Sequence, residues 1–495
     1  MLDHLYQGLL TALSPAVFPV LLFGVTGGII LGALPGLTAT MGVAILLPFT
    51  FSMDSTPALV MLIGVYIGGI YGGSIAAILL KTPGTPASAA SVLDGYFLAS
   101  NGQAAKALSV SAISSFTGGL LSTIVLIAIA PQLATFALRF NAPEYFALAL
   151  FGLTIIASVS GTNLIKGLLA GTIGLLVSTI GLDPISSVPR FTFGIMDLYS
   201  GVNIIPVLIG LFALSEAIMQ AEGLLAGIKE RMNRTSKTQS LTRSELKAIL
   251  PTAIKSGLIG TTIGSVPGAG ADVSAFACYN EAKRVDKNPQ EFGNGSIRGL
   301  AAAEAGNNGV TGGALVPLLT LGVPGDAVAA VLLGALTIQG LTPGPLLFEH
   351  NPQVVYGVFS SMLIANIVML IVGLVGIRFF CRIIDVPKVV LIPIIVLLSV
   401  IGAYAINNSM FDVYVAIFFG IVGFLLSRLD VPTSPILLAL ILGPMAEINL
   451  RKALLMYDNS WSFIYQRPIA LAFLLLTVFS VYSTLKIKRK IKQLS

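Results

Sequence analysis

The chain has 495 residues, of which 55% are hydrophobic and only 10% charged, with a mean hydropathy of +0.92. That composition excludes a soluble globular surface of this size and makes lipid the solvent for most of the exterior. The formal charge of +6 does not mark a nucleic-acid binder, because 15 of the 28 basic residues fall in three short tracts beside apolar segments, at 222–248, 283–298 and 486–492. Such clustering is what the positive-inside rule predicts, and it places all three tracts in the cytoplasm.

In chain order, the first 80 residues hold no Lys or Arg, and Asp3, Asp54 and His4 are their only other ionisable groups of the Asp, Glu and His types. A secretory signal would open on basic residues, so the first apolar stretch is expected to be retained. Apolar segments are expected at 16–34, 57–80, 107–130, 143–160, 164–182 and 202–218, and after the linker at 249–266, 299–321, 353–377, 388–406, 411–427, 433–446 and 468–485. At the ~20 residues a helix needs to cross a bilayer, these predict an all-α polytopic membrane protein with about 11–13 apolar segments. No interval between them holds a soluble domain, so 1–495 reads as a single membrane domain. Its parts are a first repeat over 10–221, a basic cytoplasmic linker over 222–248, a second repeat over 249–485 and a basic cytoplasmic tail over 486–495.

The two halves resemble each other. Gly32-Ala-Leu-Pro35-Gly36-Leu-Thr-Ala39 is matched 232 positions later by Gly264-Ser-Val-Pro267-Gly268-Ala-Gly-Ala271. Gly72-Gly73 followed by Pro83-Gly84 is likewise echoed by Gly312-Gly313 followed by Pro324-Gly325. A two-fold internal repeat accounts for both matches. Proline lacks the N–H a helix interior needs and glycine costs backbone entropy, so each pair is expected to break a helix. Broken backbone at membrane depth is tolerable only where protein buries it or it lines a wet cavity. Half-helices that begin at such breaks aim N–H groups and partial positive charge at the break, the device by which secondary transporters hold anions. Interfacial loops are the plainer reading of any one pair; four in matched positions favour re-entrant half-helices. The segment after the first break carries only Asp54 and the one after its counterpart carries Lys283, Arg284, Lys287 and Arg298, so the copies are expected in inverted topology. The N-terminus is then periplasmic and the C-terminus, with Lys486, Lys488, Arg489, Lys490 and Lys492, cytoplasmic.

Ionisable groups inside apolar segments are costly and point to function. Lys81, two residues before Pro83, either attracts substrate carboxylates or snorkels to an interface. Asp94, before Gly95, reads as a loop residue rather than a coupling carboxylate. Asp272 and Asp326 follow breaks, and each either caps a half-helix or carries a coupling cation or proton. Glu304-Ala-Gly-Asn307-Asn308 is a polar cluster in an apolar, Gly-rich stretch where each unsatisfied amide costs on the order of 2 kcal/mol, so it needs helix partners, a substrate or an ion. Glu216, Lys166 and Asp183 lie near span ends, where structural roles are the default. A substrate site is expected where the breaks converge, formed by Pro35, Gly36, Thr38, Thr40, Lys81, Thr82, Pro83, Gly84, Thr85, Pro267, Gly268, Gly270, Ser274, Asn307, Asn308, Pro324 and Gly325. Asp272, Glu304 and Asp326 are left for the coupling ion, H⁺ or Na⁺. Cys278 and Cys381 have no metal or disulfide spacing and read as apolar fillers. His4 and His350 form no constellation and no glycine run has P-loop form, so neither a metal, a cofactor nor an enzyme is expected. An ion channel is the alternative, distinguished by flux that does not saturate with substrate, and an intramembrane enzyme is the third reading, which would need a nucleophile and base or a metal constellation inside a span.

These motifs resemble the large membrane subunit of the tripartite tricarboxylate transporters, the TctA family. The likeness is carried by Gly32 to Ala39, Tyr71-Gly-Gly-Ser74 through Pro83-Gly84-Thr-Pro86, Pro267 to Ala271, Phe292-Gly-Asn-Gly295, Glu304 to Asn308, Leu321-Gly-Val-Pro324-Gly325 and Leu341-Thr-Pro-Gly-Pro345. Gly306 and Gly309 stand where that family is associated with alanine. The resemblance implies a bacterial inner-membrane importer working with a small membrane subunit and a periplasmic solute-binding protein. It also implies ion-coupled uptake of citrate or a related carboxylate without ATP hydrolysis.

Overall fold

Small residues at four-residue spacing decide how the central helices meet. Helix α2 (Phe18–Ala33) carries Gly24, Gly28 and Gly32 on one face, and α4 (Ser55–Leu80) carries Gly64, Gly68 and Gly72. Without side chains there, the backbones close up: Gly24 lies against Met61, Gly28 against Val65 and Gly32 against Gly69, as close small-xxx-small packing requires. Both series ascend, so α2 and α4 are parallel, and the chain between them must travel back. It does so through α3 (Ala39–Leu46) and the 3₁₀ turn Leu47–Thr50. At 1.5 Å per residue α3 is about 12 Å long and α4 about 39 Å. The N-terminal α1 (Leu2–Ala12) packs elsewhere, on α15 below, with His4 stacked on Tyr356 at 5.3 Å.

The computed structural model describes residues 2–34, 37–81, 84–154, 164–225, 241–267, 270–377, 379, 388–479 and 481. After α4 the chain crosses a turn at Pro86–Ser88 and two π-helical turns, Val92–Tyr96 and Ala99–Gln103, before α5 (Ala104–Ala137). Then follow α6 (Ala142–Thr154) and α7 (Leu164–Ser178). The strands β1 (Gly181–Leu182) and β2 (Pro189–Arg190) pair antiparallel, Gly181 opposite Arg190. Next, α8 (Ile204–Leu208) continues through the π-helical turn Ile209–Leu214 into α9 (Ser215–Leu225).

The second half opens with α10 (Arg243–Gly264), started by a capping box between Thr242 and Glu245, then α11 (Gly270–Val285) and α12 (Ile297–Leu321). Gly260 sits against Gly306 and Gly264 against Val310, so α10 and α12 are parallel and α11 returns the chain, as α3 does between α2 and α4. The remaining helices are α13 (Ala327–Ile338), α14 (Pro345–His350), α15 (Pro352–Val375), α16 (Lys388–Asn407), α17 (Met410–Arg428), α18 (Ser434–Met456), α19 (Phe463–Gln466) and α20 (Pro468–Phe479).

Packing crosses between the halves. Helix α5 lies on α12, with Gly118 against Ala305 and Gly312 against Ser122, and α15 lies on α4, with Gly357 against Thr56 and Gly373 against Tyr71. Helices α4 and α12 are antiparallel: Gly95 touches Ile78 near the end of α4 and Leu300 near the start of α12, while Tyr66, earlier on α4, bonds Asp326 beyond the end of α12. An outer group of α6, α7 and α18 packs together. There Asp183 and Arg190 of the strand pair join Glu447 and Arg451 of α18, with Arg451 to Asp183 at 2.8 Å and Arg190 to Glu447 at 2.6 Å.

Among the described residues, five helices are long and apolar enough to cross a membrane, and shorter apolar helices include Phe18–Ala33 and Ile165–Ser178. Large apolar side chains face outward, Ile165 at 70% and Phe418 at 60% exposure, as lipid contact allows. The protein is therefore a multi-pass helical membrane protein. Every expected apolar segment contains a helix, although 155–163 lies outside the described residues. Several features differ from the expected segments: α1, α14 and α19 fall in none of them, α3, α11 and α13 form further helices after the Pro-Gly pairs, and the strand pair interrupts an otherwise helical chain because Gly181, Pro184 and Pro189 disfavour helix there. Asp94 is also not in a loop. It is buried in a π-helical turn, and its Oδ1 accepts N–H bonds from Gly293, Gly295 and Ser296 at 2.8, 2.9 and 2.8 Å, tying the two halves together.

Candidate functional site

Residues that follow the breaks in sequence line a cavity of about 330 Å³. From the first half it is lined by Thr38 and Thr40 at the start of α3 and by Thr85; from the second by Gly270 and Asp272 at the start of α11 and by Asp326 before α13. Ser215, Glu216 and Met219 of α9, with Ser427 and Thr433, complete one side, and Leu437 and Leu438 of α18 supply an apolar wall.

Local chemistry sets these positions. Thr38 is the N-cap of α3 and accepts the Met41 N–H at 3.2 Å. Thr85 accepts from Ser88 N–H at 3.3 Å, and Ser88 Oγ in turn accepts the Thr85 N–H at 3.2 Å. Asp326 caps α13, its Oδ1 accepting the Ala329 N–H at 2.7 Å while Tyr66 OH donates to Oδ2 at 2.6 Å. Three helix N-termini, those of α3, α11 and α13, thus open on one space and bring it partial positive charge. Gly84 and Gly325 make the convergence possible: Gly84 lies against Gly32 O and Gly73, and Gly325 against Gly264 O and Ala314, where a side chain would push the break away from its helix.

Of the expected substrate residues, the structure brings Thr38, Thr40, Thr85 and Gly270 to the cavity, together with Asp272 and Asp326. Gly84, Pro267, Pro324 and Gly325 are buried in the backbone behind it and do not line it. Pro35, Gly36, Thr82, Pro83 and Gly268 lie outside the described residues. Lys81 is exposed in the left-handed conformation at the end of α4, with its ammonium over the Tyr96 ring at 5.6 Å, away from the cavity lining. Ser274 donates to Gly306 O at 2.7 Å, a bond between α11 and α12. Asn307, Asn308 and Glu304 are fully buried in α12 and do not line the cavity. Glu216 does, and its position within an apolar span was the available sequence signal. Among the described residues no Lys, Arg or His lines the cavity, and no group of three or more His, Cys, Asp or Glu side chains could hold a metal.

A bundle of spanning helices around a cavity lined by helix N-termini, hydroxyls and carboxylates defines a membrane transport protein rather than a soluble binding module. The family model for the tripartite tricarboxylate transporter TctA family matches residues 18–438, and the chain belongs to that family, as a large membrane subunit. An uncharacterized 52.8 kDa protein of the TAR-I ttuC' 3' region of Agrobacterium vitis is 37% identical over 477 residues, covering 96% of this chain and 94% of that relative. An uncharacterized protein of the TAR-II ttuC' 3' region of the same organism is 39% identical over 215 residues, 43% of this chain and 89% of its own length.

Proposed function

We propose that this subunit imports tricarboxylates or related, citrate-like carboxylates across the bacterial inner membrane by H⁺ or Na⁺ symport. A small membrane subunit and a periplasmic solute-binding protein complete the transporter. The observation that carries the symport reading is the charge of the cavity: among the described residues, the carboxylates of Asp272 and Asp326 line it and no Lys, Arg or His does. Two like charges 4 Å apart repel by about 4 kcal/mol at an effective dielectric near 20. One helix N-terminus returns at most about 2 kcal/mol. A carboxylate substrate beside these acids therefore needs accompanying protons or cations, and that requirement couples the two fluxes.

Inverted topology is part of the same proposal. It is supported by the antiparallel α4 and α12, by the reversed-chain helices α3 and α11, and by the matched seating of Gly84 on Gly32 and Gly325 on Gly264. With the basic linker cytoplasmic, the N-terminus is periplasmic, and α9, which runs toward the linker, brings the cavity's Glu216 and Met219 to the cytoplasmic side. The test is uptake of labelled citrate and other di- and tricarboxylates into vesicles holding all three components. Accumulation should vanish when both Na⁺ and H⁺ gradients are collapsed. Accumulation that persists without either gradient rejects symport, and the absence of uptake for every carboxylate rejects the substrate class.

A further inference from the structure

A second polar site lies away from the cavity, inside the helix core. Glu304 is fully buried in the first half of α12. Ser115 of α5 donates to its Oε2 at 3.0 Å. Ser74 of α4, Ser111 of α5, and Ser91 just ahead of the π-helical turn Val92–Tyr96 also stand beside the carboxylate. Even so, Glu304 Oε1 and the hydroxyls of Ser74, Ser91 and Ser111 make no hydrogen bond, and neither does the buried Tyr71 OH, one turn before Ser74. Among the described residues no Lys, Arg or His forms an ion pair with Glu304.

We propose that Glu304 and the serines around it, Ser74, Ser91, Ser111 and Ser115, bind one Na⁺. A single carboxylate in a dry interior needs one compensating positive charge, and among metal ions only a monovalent one makes the site neutral. Carboxylate and hydroxyl oxygens are hard ligands, which suit an alkali cation and not a thiolate- or imidazole-seeking metal. One acid among neutral hydroxyls is too little charge for the divalent ions that carboxylate clusters hold. Protonation would neutralise Glu304 through one O–H, yet it would leave most of the surrounding hydroxyl oxygens without a partner, whereas a cation engages their lone pairs together. Short serine side chains at no exposure enclose a small ion. The ligands come from α4, α5 and the turn before it in the first half and from α12 in the second, so the ion would bridge the two halves. Its role in coupling rests on the transport reading above; its binding does not.

The experiment is radiolabelled Na⁺ binding to the purified full chain in detergent, at one fixed, mildly alkaline pH. Binding should saturate and resist equal concentrations of K⁺ and choline. Glu304→Gln should abolish it. The double change Ser111→Ala with Ser115→Ala should raise Kd by about tenfold or more. Ser109→Ala, on the same helix but bonded to Ala105 O, should leave Kd within about twofold. The serine variant keeps the test open if Glu304→Gln misfolds, provided that it elutes as monodisperse protein. No saturable Na⁺ binding by the unaltered chain, or binding unchanged by the two serine substitutions, overturns the site. If uptake then follows a pH gradient alone, the site fails while ion-coupled transport stands.

Discussion

Asp326 does two jobs with one carboxylate. Oδ1 caps α13 and Oδ2 accepts from Tyr66 of the other half, so the alternatives of cap and ion carrier resolve, for Oδ1, into a cap. A buried hydrogen bond to a charged group contributes about 1.5–3 kcal/mol. Tyr66→Phe should lower stability by that amount in thermal unfolding and, by freeing Oδ2, alter the ion dependence of uptake. A variant of unchanged stability would show that the bond contributes nothing. At the rim of the membrane, Glu245 behaves as an ordinary surface carboxylate held ionised. Partial burial opposes its charge, but Lys106 at 2.8 Å and the Thr242 N–H outweigh that and bring its pKa down to about 2. A depressed carboxylate stabilises the fold above its unfolded pKa of about 4.3, and the contribution is lost as pH falls toward the folded value. Lys106→Ala should therefore cost about 1 kcal/mol equally at neutral and mildly acidic pH, with the difference from the unaltered chain narrowing only below about pH 4. A difference that already closes near neutrality would mean that another group carries it.

Glycine spacing governs the elements. Helices α2 and α4 approach until Gly28 meets Val65 and Gly68 meets Val25, leaving no room for a side chain. Overpacking of a filled interface costs typically 1–3 kcal/mol, and a branched side chain against backbone lies at the upper end. Gly28→Leu should separate α2 from α4 and with them the start of α3, where Thr38 and Thr40 sit. The expected result is protein that elutes broadly in size-exclusion chromatography and unfolds at lower temperature. Gly27→Leu, one residue away and open to space, should behave as the unaltered chain does. Equal behaviour of the two variants would separate the α2–α4 contact from the site.

At the scale of the whole molecule, the two sets of helices exchange partners: α5 of the first half packs on α12 and α15 of the second packs on α4. The cavity and the Glu304 cluster both lie where residues from the two halves meet, so movement of one half against the other would change both. Among the described residues the chain is built of packed helices with one short strand pair, and none of it forms a separate solute-capturing domain. Reconstituted alone, this subunit should show little or no high-affinity uptake, and adding the small membrane subunit and the binding protein should restore it. Robust micromolar uptake by the isolated chain would reject that dependence.

The sequence by itself determined the membrane class, the family and the positions of the long apolar helices, because hydropathy, proline and glycine act locally and leave their mark on consecutive residues. It also supplied Thr38, Thr40, Thr85, Asp272 and Asp326 as neighbours of breaks. It offered no means of separating those five from Asn307, Asn308 and Glu304, which are equally polar and equally close to glycines. Only the tertiary structure assigned them to different places. A residue's face on a helix is fixed by which partner packs there, and α12 is enclosed by α5, α10 and α11, so its acid and amides point into protein. The same packing brought Glu216 to the cavity, through segments distant in sequence, while Lys81 turned to the nearby Tyr96 ring and away from the cavity lining.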